Sequence, residues 1–286
     1  MSDVLSSAAA PDSLEALHEF VRRHRRLFVL TGAGMSTDSG IPGYRDEQGR
    51  WMRCAPIQLR DFLGSEPARR RYWARSMVGW PVVGRAQPNA AHRALTKLER
   101  AARIGCLVMQ NVDGLHQRAG SADVIELHGS IGRVTCFDCG EEHTRAALQP
   151  RLEADNPALV EAVAVAAADG DAHLEWHDLE NFRIPACPYC GGMLKPSVVF
   201  FGEGVPRERV DSAAASLAHA DAMLVVGSSL MMYSGYRFCV WAANMGKPIA
   251  LVNLGRTRAD PLLTLKVEAA CARVLTELAT RVDMSP

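Results

Sequence analysis

The sequence predicts an α/β protein: a parallel sheet with helices on both faces, carrying a helical excursion and a smaller inserted module. Three observations predict it. Short apolar runs at 27–31, 106–109, 124–127, 198–201, 223–226 and 249–252 alternate with segments of helical period, the pattern of strands buried on both faces. The first run ends in Gly32-Ala33-Gly34, where glycines let the backbone turn sharply off a strand. The alternation then breaks over 131–194, which holds two C-x-x-C pairs.

From the N-terminus, Asp12 and Glu15 suit a helix start, and Leu14, Leu17, Phe20 and Val21 share one face of that helix. Arg22, Arg23, Arg25 and Arg26 complement the negative end of its dipole. The strand at 27–31 follows. Residues 46–87 are irregular and rich in Arg, Trp and Pro, so they read as the helical excursion. Pro88 opens a helix with His92, Leu95 and Leu98 inward, and the run at 106–109 is a short buried strand. The strand at 124–127 ends at His128-Gly129. The acid-rich stretch 151–183 reads as a solvated helical insertion. After 194 the alternation resumes as strand 198–201, helix 206–219, strand 223–226, helix 235–245 and strand 249–252. A Rossmann-like domain is therefore expected in three parts, 1–45, 88–130 and 195–286. The excursion 46–87 covers its site, and 131–194 forms the small domain.

Composition narrows the function. The chain has 286 residues, 48% hydrophobic and 22% charged, with zero formal net charge. Neutrality and the lack of a long basic run argue against a specific nucleic-acid partner. No apolar run reaches the roughly 20 residues that span a bilayer, so no membrane partner is expected. MSDVLSSAAAPDS lacks the basic region and apolar core of a secretory signal. The expectation is a cytoplasmic protein with reduced thiols, where paired cysteines suggest metal before disulfide. Cys136, Cys139, Cys187 and Cys190 supply four thiolates, the closed shell of one structural Zn2+. Cys54, Cys106, Cys239 and Cys271 read as small core residues.

The loop after the first strand, GAGMSTDSGIPGYR, reads as a dinucleotide site but departs from the usual fingerprint. Thr37 stands where G-x-G-x-x-G needs its third glycine, and no acidic residue follows a second strand about 20 positions on. The loop runs on to Tyr44 and Arg45. Its amide N–H groups are candidate phosphate donors. Four more strand ends are polar: Gln110-Asn111-Val112-Asp113, His128-Gly129, Gly227-Ser228-Ser229 and Asn253-Leu254-Gly255. Ligands of open α/β sheets sit at such ends. Gly-Ser-Ser suits a phosphate or ribose contact, and Asn253 a ribose hydroxyl. His128 is a candidate general base, since imidazole titrates near neutrality. Asn111 and Asp113 could orient a leaving group or ribose. Each cluster taken alone also reads as an ordinary loop turn or cap.

GAGMSTDSGIPGYR, QNVDGLH, the isolated HG, two C-x-x-C knuckles, KPSVVFFGE, GSS and NLG occur in this order from about residue 13 to 280. The ordered set resembles the sirtuins, NAD-dependent protein deacylases. GSSLMMYSGYRF and RYWARSMVGWP look most like the class II group, which includes the mitochondrial lipoamidase and ADP-ribosyltransferase type. The resemblance implies that NAD is a consumed co-substrate. Gly32, Ala33 and Gly34 would cradle its diphosphate, with Ser36 and Ile41 in the same loop and Tyr44 and Arg45 over the nicotinamide. Gln110, Asn111, Val112 and Asp113 would line the nicotinamide and ribose pocket, Asn111 and Asp113 also serving catalysis. Gly227, Ser228 and Ser229 would hold phosphate and ribose, with Asn253, Leu254, Gly255 and Cys271 near the adenosine.

The family chemistry then follows. Nicotinamide leaves as the substrate's acyl oxygen attacks the ribose, and His128 activates a ribose hydroxyl that takes the acyl group. The products are nicotinamide, O-acyl-ADP-ribose and free lysine, the partners acylated-lysine proteins. Phe201, Gly202 and Glu203 would pair with the substrate peptide as an added strand. Tyr72 and Arg75, one helical turn apart, resemble a pair that binds acidic acyl groups through a phenol and a guanidinium. Mono-ADP-ribosyl transfer, lipoamidase or acidic-acyl removal are the alternative main activities. Two departures bear on substrate: Ser197 replaces an aspartate of the KPDVVFFGE form, and Met231-Met232 replace a polar-then-apolar pair.

Overall fold

Leu17, Phe20 and Val21 bury one face of helix α1 (Pro11–Arg23), the stripe their spacing dictates. The computed structural model describes residues 11–43, 46, 50, 56–160, 165–166, 172–173 and 179–282. Strand β1 (Leu27–Thr31) is buried along its whole length, as a sheet covered on both faces requires. Two 3-10 turns, Ala33–Met35 and Thr37–Ser39, follow it in place of a helix. The described part of the excursion is helical, α2 (Leu59–Gly64) and α3 (Glu66–Arg85), with Ser65 capping α3 through a bond from Ala68 N. Helix α4 (Ala90–Arg100) starts just past Pro88 because Asn89 caps it, accepting from Ala91 N and His92 N. Strand β2 (Ile104–Met109), a one-turn helix α5 (Leu115–Arg118) and strand β3 (Val124–Glu126) complete this half.

The small module comprises β4 (Gly129–Cys136), β5 (Glu142–Thr144), helix α6 (Arg145–Asp155), the short strands β6 (Val165–Ala166) and β7 (Ala172–His173), and β8 (Leu194–Val198). The chain then returns to the large sheet through α7 (Arg207–His219), β9 (Ala222–Val226), α8 (Tyr233–Asn244), β10 (Ile249–Val252), β11 (Leu265–Val267) and α9 (Cys271–Val282).

The large sheet has the order β11-β10-β9-β1-β2-β3, every pair parallel. The strand order reverses between β1 and β9, and a crevice at such a point is where α/β sheets bind ligands. One face of the sheet packs Val29, Leu107 and Leu224 against α1, α4 and α9. The other packs Phe28, Val108 and Val225 against α7 and α8. A third core joins the excursion to the small module: Phe62, Trp73 and Met77 meet Val134, Leu148, Leu194 and Phe200. Among the described residues no helix is long and apolar enough to cross a membrane.

Two sequence expectations need correction, and two elements went unread. The run 198–201 is not a strand of the parallel sheet. Residues Leu194–Val198 pair antiparallel with β4, and the chain then leaves as a loop. An apolar run of that length reads alike for either sheet, because periodicity does not reveal its neighbour. The acid-rich insertion is not helical throughout, since β6 and β7 pair as an antiparallel hairpin beyond α6 and a 3-10 turn. Edge strand β11, three residues long, lacked a signal of its own, and α9 after it also went unread.

Candidate functional site

A cavity of about 990 Å³ opens at the carboxyl ends of β1, β2, β9 and β10, facing the small module. Gly32, Ala33 and Gly34 line it from the first of these strands, and Gln110, Asn111 and Val112 from the second. Gly227, Ser228 and Ser229 contribute from the third, Asn253 and Leu254 from the fourth, and Cys271 from the start of α9. Phe201, Gly202, Glu203, Tyr72 and His128 close the opposite side. The residues expected to handle dinucleotide and substrate thus share one space. Tyr44 and Arg45 lie outside the described residues, as does Cys54.

Some expected site residues stand behind the wall. Ser36 is buried and donates to Asp113 Oδ2 at 2.7 Å, while Asn111 Nδ2 donates to Ser36 Oγ at 2.9 Å and Asp113 Oδ2 at 3.2 Å. Leu115 N donates to Asp113 Oδ1 at 2.9 Å, so Asp113 organises the loop and fixes Asn111. Ile41 packs with Val112 and Ile131. Gly255 donates its N–H to Glu268 at 3.1 Å. Arg75 is half-buried and is not on the cavity lining that Tyr72 joins. Cys271 is buried, and burial pushes its thiol up to about 12, leaving it an unreactive wall residue.

The glycines have a different use from the one their spacing suggests. Gly32 N–H donates to Val226 O at 3.0 Å and Gly34 N–H to Gly227 O at 2.8 Å, so neither is a phosphate donor. Instead the loops after β1 and β9 cross in near contact. A Cβ on Gly227, whose φ is +63°, would lie 2.5 Å from Met35 N. These glycines supply room at the switch point. Ser228 is likewise committed, accepting from Gln110 Nε2 at 2.9 Å and Leu230 N at 3.2 Å.

His128 lies where the large sheet passes into the small one. Its Nδ1 is 2.7 Å from Gln110 O, and a carbonyl can only accept, so Nδ1 carries the proton. Nε2, 2.9 Å from Ser234 Oγ, is then the basic nitrogen and accepts that hydroxyl's hydrogen. Burial holds its pKa below the ordinary histidine value. The charges of Arg209 and Arg237 act in the same direction, against the raising effect of the Gln110 carbonyl. Two further histidines lie beneath. His116 Nε2 meets Thr31 Oγ1 at 3.0 Å and its ring sits 4.8 Å from that of His92. Burial lowers them to about 3 and about 4.

The loop after β8 is braced from within. Glu203 accepts from Phe200 N at 2.7 Å and pairs with Lys195 Nζ at 3.1 Å, and that ammonium also donates to Val198 O at 2.6 Å. Glu203 therefore holds its own loop. Phe201 O accepts from Leu59 N at 2.9 Å, tying the loop to the excursion. Ser197 Oγ contacts Thr135 Oγ1 at 2.6 Å across the small sheet, and Met231 and Met232 line the cavity lip. Sequence reasoning missed Ser234, Lys195 and Arg237. Ser234 follows Tyr233 at a helix start, where serine is ordinary, so nothing local marked it.

The four knuckle cysteines come together, their Sγ atoms all within 4.8 Å of one another. Cys136–Cys190 and Cys139–Cys187 are 3.5 and 3.9 Å apart. That is far beyond a disulfide bond and close to the ~3.8 Å edge of a tetrahedral thiolate zinc with bonds of ~2.3 Å. The donor set fits one structural zinc. Its ligands come from the last residue of β4 and the turn after it, and from the turn before β8, so the metal would fasten the strands that lead into and out of the module.

The Sir2 family model matches residues 32–234. A Bordetella bronchiseptica NAD-dependent protein deacetylase is 57% identical over 265 residues, covering 93% of this chain and 97% of that protein. The Bos taurus mitochondrial NAD-dependent protein lipoamidase sirtuin-4 is 47% identical over 268 residues, covering 93% and 85%. Among solved structures, one of Sir2 with a p53 peptide and NAD+ superposes with a TM-score of 0.73 at 28% identity, covering 95% of this chain and 99% of that one. The matched span runs from the glycine turn through His128 and both knuckles to Ser234, taking in the cysteine cluster and most of the cavity lining, and by that span and those identities the chain belongs to the Sir2 family.

Proposed function

We propose that this chain is an NAD-dependent protein-lysine deacylase working on acylated-lysine proteins of the cytoplasm, with His128 as its general base. The observation that carries the reading is the aim of His128 Nε2. It opens on the cavity where the loops after β1, β2, β9 and β10 face the segment 198–205. When bound, NAD supplies an activated ribosyl carbon that accepts the acyl oxygen as nicotinamide leaves. The chain's residues do the rest. Ala33 and Ser229 bound the diphosphate end, and Asn253 offers its amide to a ribose. Asn111, held by Ser36 and Asp113, orients the nicotinamide ribose. His128 Nε2 takes the proton of a ribose hydroxyl, and the largely apolar wall keeps water from competing. Phe201 and Gly202 present backbone to the peptide. The same reading assigns dinucleotide binding to 1–45, 88–130 and 195–286, covering of the site to 46–87, and zinc binding to the small domain 131–194.

His128→Ala should lower acyl transfer by about a hundredfold or more while NAD binding by calorimetry persists. Unreduced deacylation in that variant would overturn the proposal. Run over a panel of acylated peptides with mass detection, the same assay identifies the acyl chain, and O-acyl-ADP-ribose separates deacylation from ADP-ribosyl transfer to protein. Acidic acyl removal is favoured by Tyr72 on the cavity wall and requires Arg75 to reach the same space.

A further inference from the structure

We infer that the His128 end of the cavity selects acyl-lysines flanked by a carboxylate, and that Arg237 is the residue that reads it. This rests on the deacylase reading and names the peptide class it would favour. Among the described residues, the carboxylates and guanidiniums on the cavity lining are Asp38, Asp46, Glu203, Arg237 and Arg256. Asp46 is paired with Arg50 at 2.9 Å and Glu203 with Lys195 at 3.1 Å. Asp38 acts on the thiol of Cys271, which places it at the opposite end. Arg256 follows Leu254 closely and belongs to that end too.

Arg237 is left at the His128 end with no carboxylate in ion-pair reach among the described residues, and its Nε is buried without a hydrogen-bond partner. It is near enough for its charge to act on His128. Its contact is a ring face, with Cζ 5.3 Å from the centroid of Tyr233. Arg258 braces the same ring at 5.9 Å, covers Tyr236 at 4.4 Å and donates to Met231 O at 3.3 Å. Tyr233 is 55% exposed and Met232 40% exposed. The lip therefore offers a peptide an apolar shelf beside a guanidinium held in place by stacking. A planar cation so placed is matched by a carboxylate, which it can grip through two parallel N–H donors. Glu or Asp near the acyl-lysine is the side chain that supplies one.

The test uses the full-length protein and acetyl-lysine peptides carrying Glu at one position within about two residues of the lysine, each paired with its Gln counterpart. For the best position, kcat/KM should favour Glu by about tenfold, mostly through KM, as a charge-assisted hydrogen bond provides. Arg237→Gln should bring that ratio near one, and Arg237→Lys should keep part of it. The ratio is the readout, so any general change in turnover cancels. Equal rates for both peptides in the parent protein would overturn the inference. So would a ratio that survives Arg237→Gln, or a variant that instead raises the KM for NAD alone. Failure of the deacylase reading shows separately, as no turnover of any peptide. Peptide binding measured by calorimetry then carries the same Glu-to-Gln comparison.

Discussion

The imidazole of His128 is held in one protonation pattern by two neighbours with opposite needs. Gln110 O requires a donor at Nδ1, and Ser234 Oγ offers a hydrogen to Nε2. A base must be neutral to work, so acyl transfer should rise as pH passes upward through the folded pKa. Burial, with the charges of Arg209 and Arg237, lowers that pKa. The acid limb of the single-turnover pH profile should accordingly lie below the ordinary histidine value of about 6.5. A limb at or above that value would refute the environment described. At this scale the sequence was informative where chemistry is carried by position in the chain. His128 was legible because it ends an apolar strand and precedes a glycine. Ser234 was not, since it acts on a residue more than a hundred positions away, and Lys195 and Arg237 were not, since their near neighbours Glu203 and Tyr233 meet them only through the folded loop and helix start. The glycines were legible as a tight turn, but their crossing with Gly227 depends on a strand nearly two hundred residues later, which a local motif does not encode.

Helix α4 shows how an element far from the chemistry positions it. Asn89 caps the helix and also donates Nδ2 to Met35 O at 2.7 Å and Ser39 Oγ at 3.1 Å, so one side chain joins the helix start to the loop after β1. Asn89→Ala removes the cap and leaves a buried carbonyl unpaired. Denaturant unfolding should report a loss of about 2–3 kcal/mol, accompanied by weaker NAD binding; unchanged values for both would remove the link between cap and site. Elements with a strong period, α1, α4 and the buried strands, were legible from the chain. The strand β8 was not, because its apolar run fits either sheet, and the hairpin β6–β7 lies in acid-rich sequence that carries no strand signal. Asn89 itself was passed over in favour of Pro88, the more conspicuous helix-start residue.

Across the molecule, the excursion and the small module act as one body, since α2 and α3 share their core with β4, α6 and β8. Zinc held by the four thiolates fixes the strands of that body, and β8 runs directly into the cavity loop. Chelation, or Cys187→Ser, should therefore release the metal and abolish peptide turnover while the six-stranded sheet keeps its helical and strand content. Atomic absorption, activity and circular dichroism read the three outcomes, and full activity in metal-free protein would contradict the arrangement. The sheet and cluster were readable in advance because alternation and paired knuckles are patterns of sequence. The shared core was not, being formed by segments that look unrelated along the chain.

His128 lies between β3 and β4, the passage from one body to the other. Leu127 N–H is bonded to Met109 O in the large sheet, and His128 O accepts from Val199 N–H at 2.8 Å beside the small one. The candidate base thus sits on the backbone step that joins β3 of one sheet to β4 of the other. Any displacement of the small module against the large sheet would reach the imidazole through its bonds to Gln110 O and Ser234 Oγ. In the deacylase reading, seating a peptide beside β8 and aligning the base would then be coupled through that backbone connection.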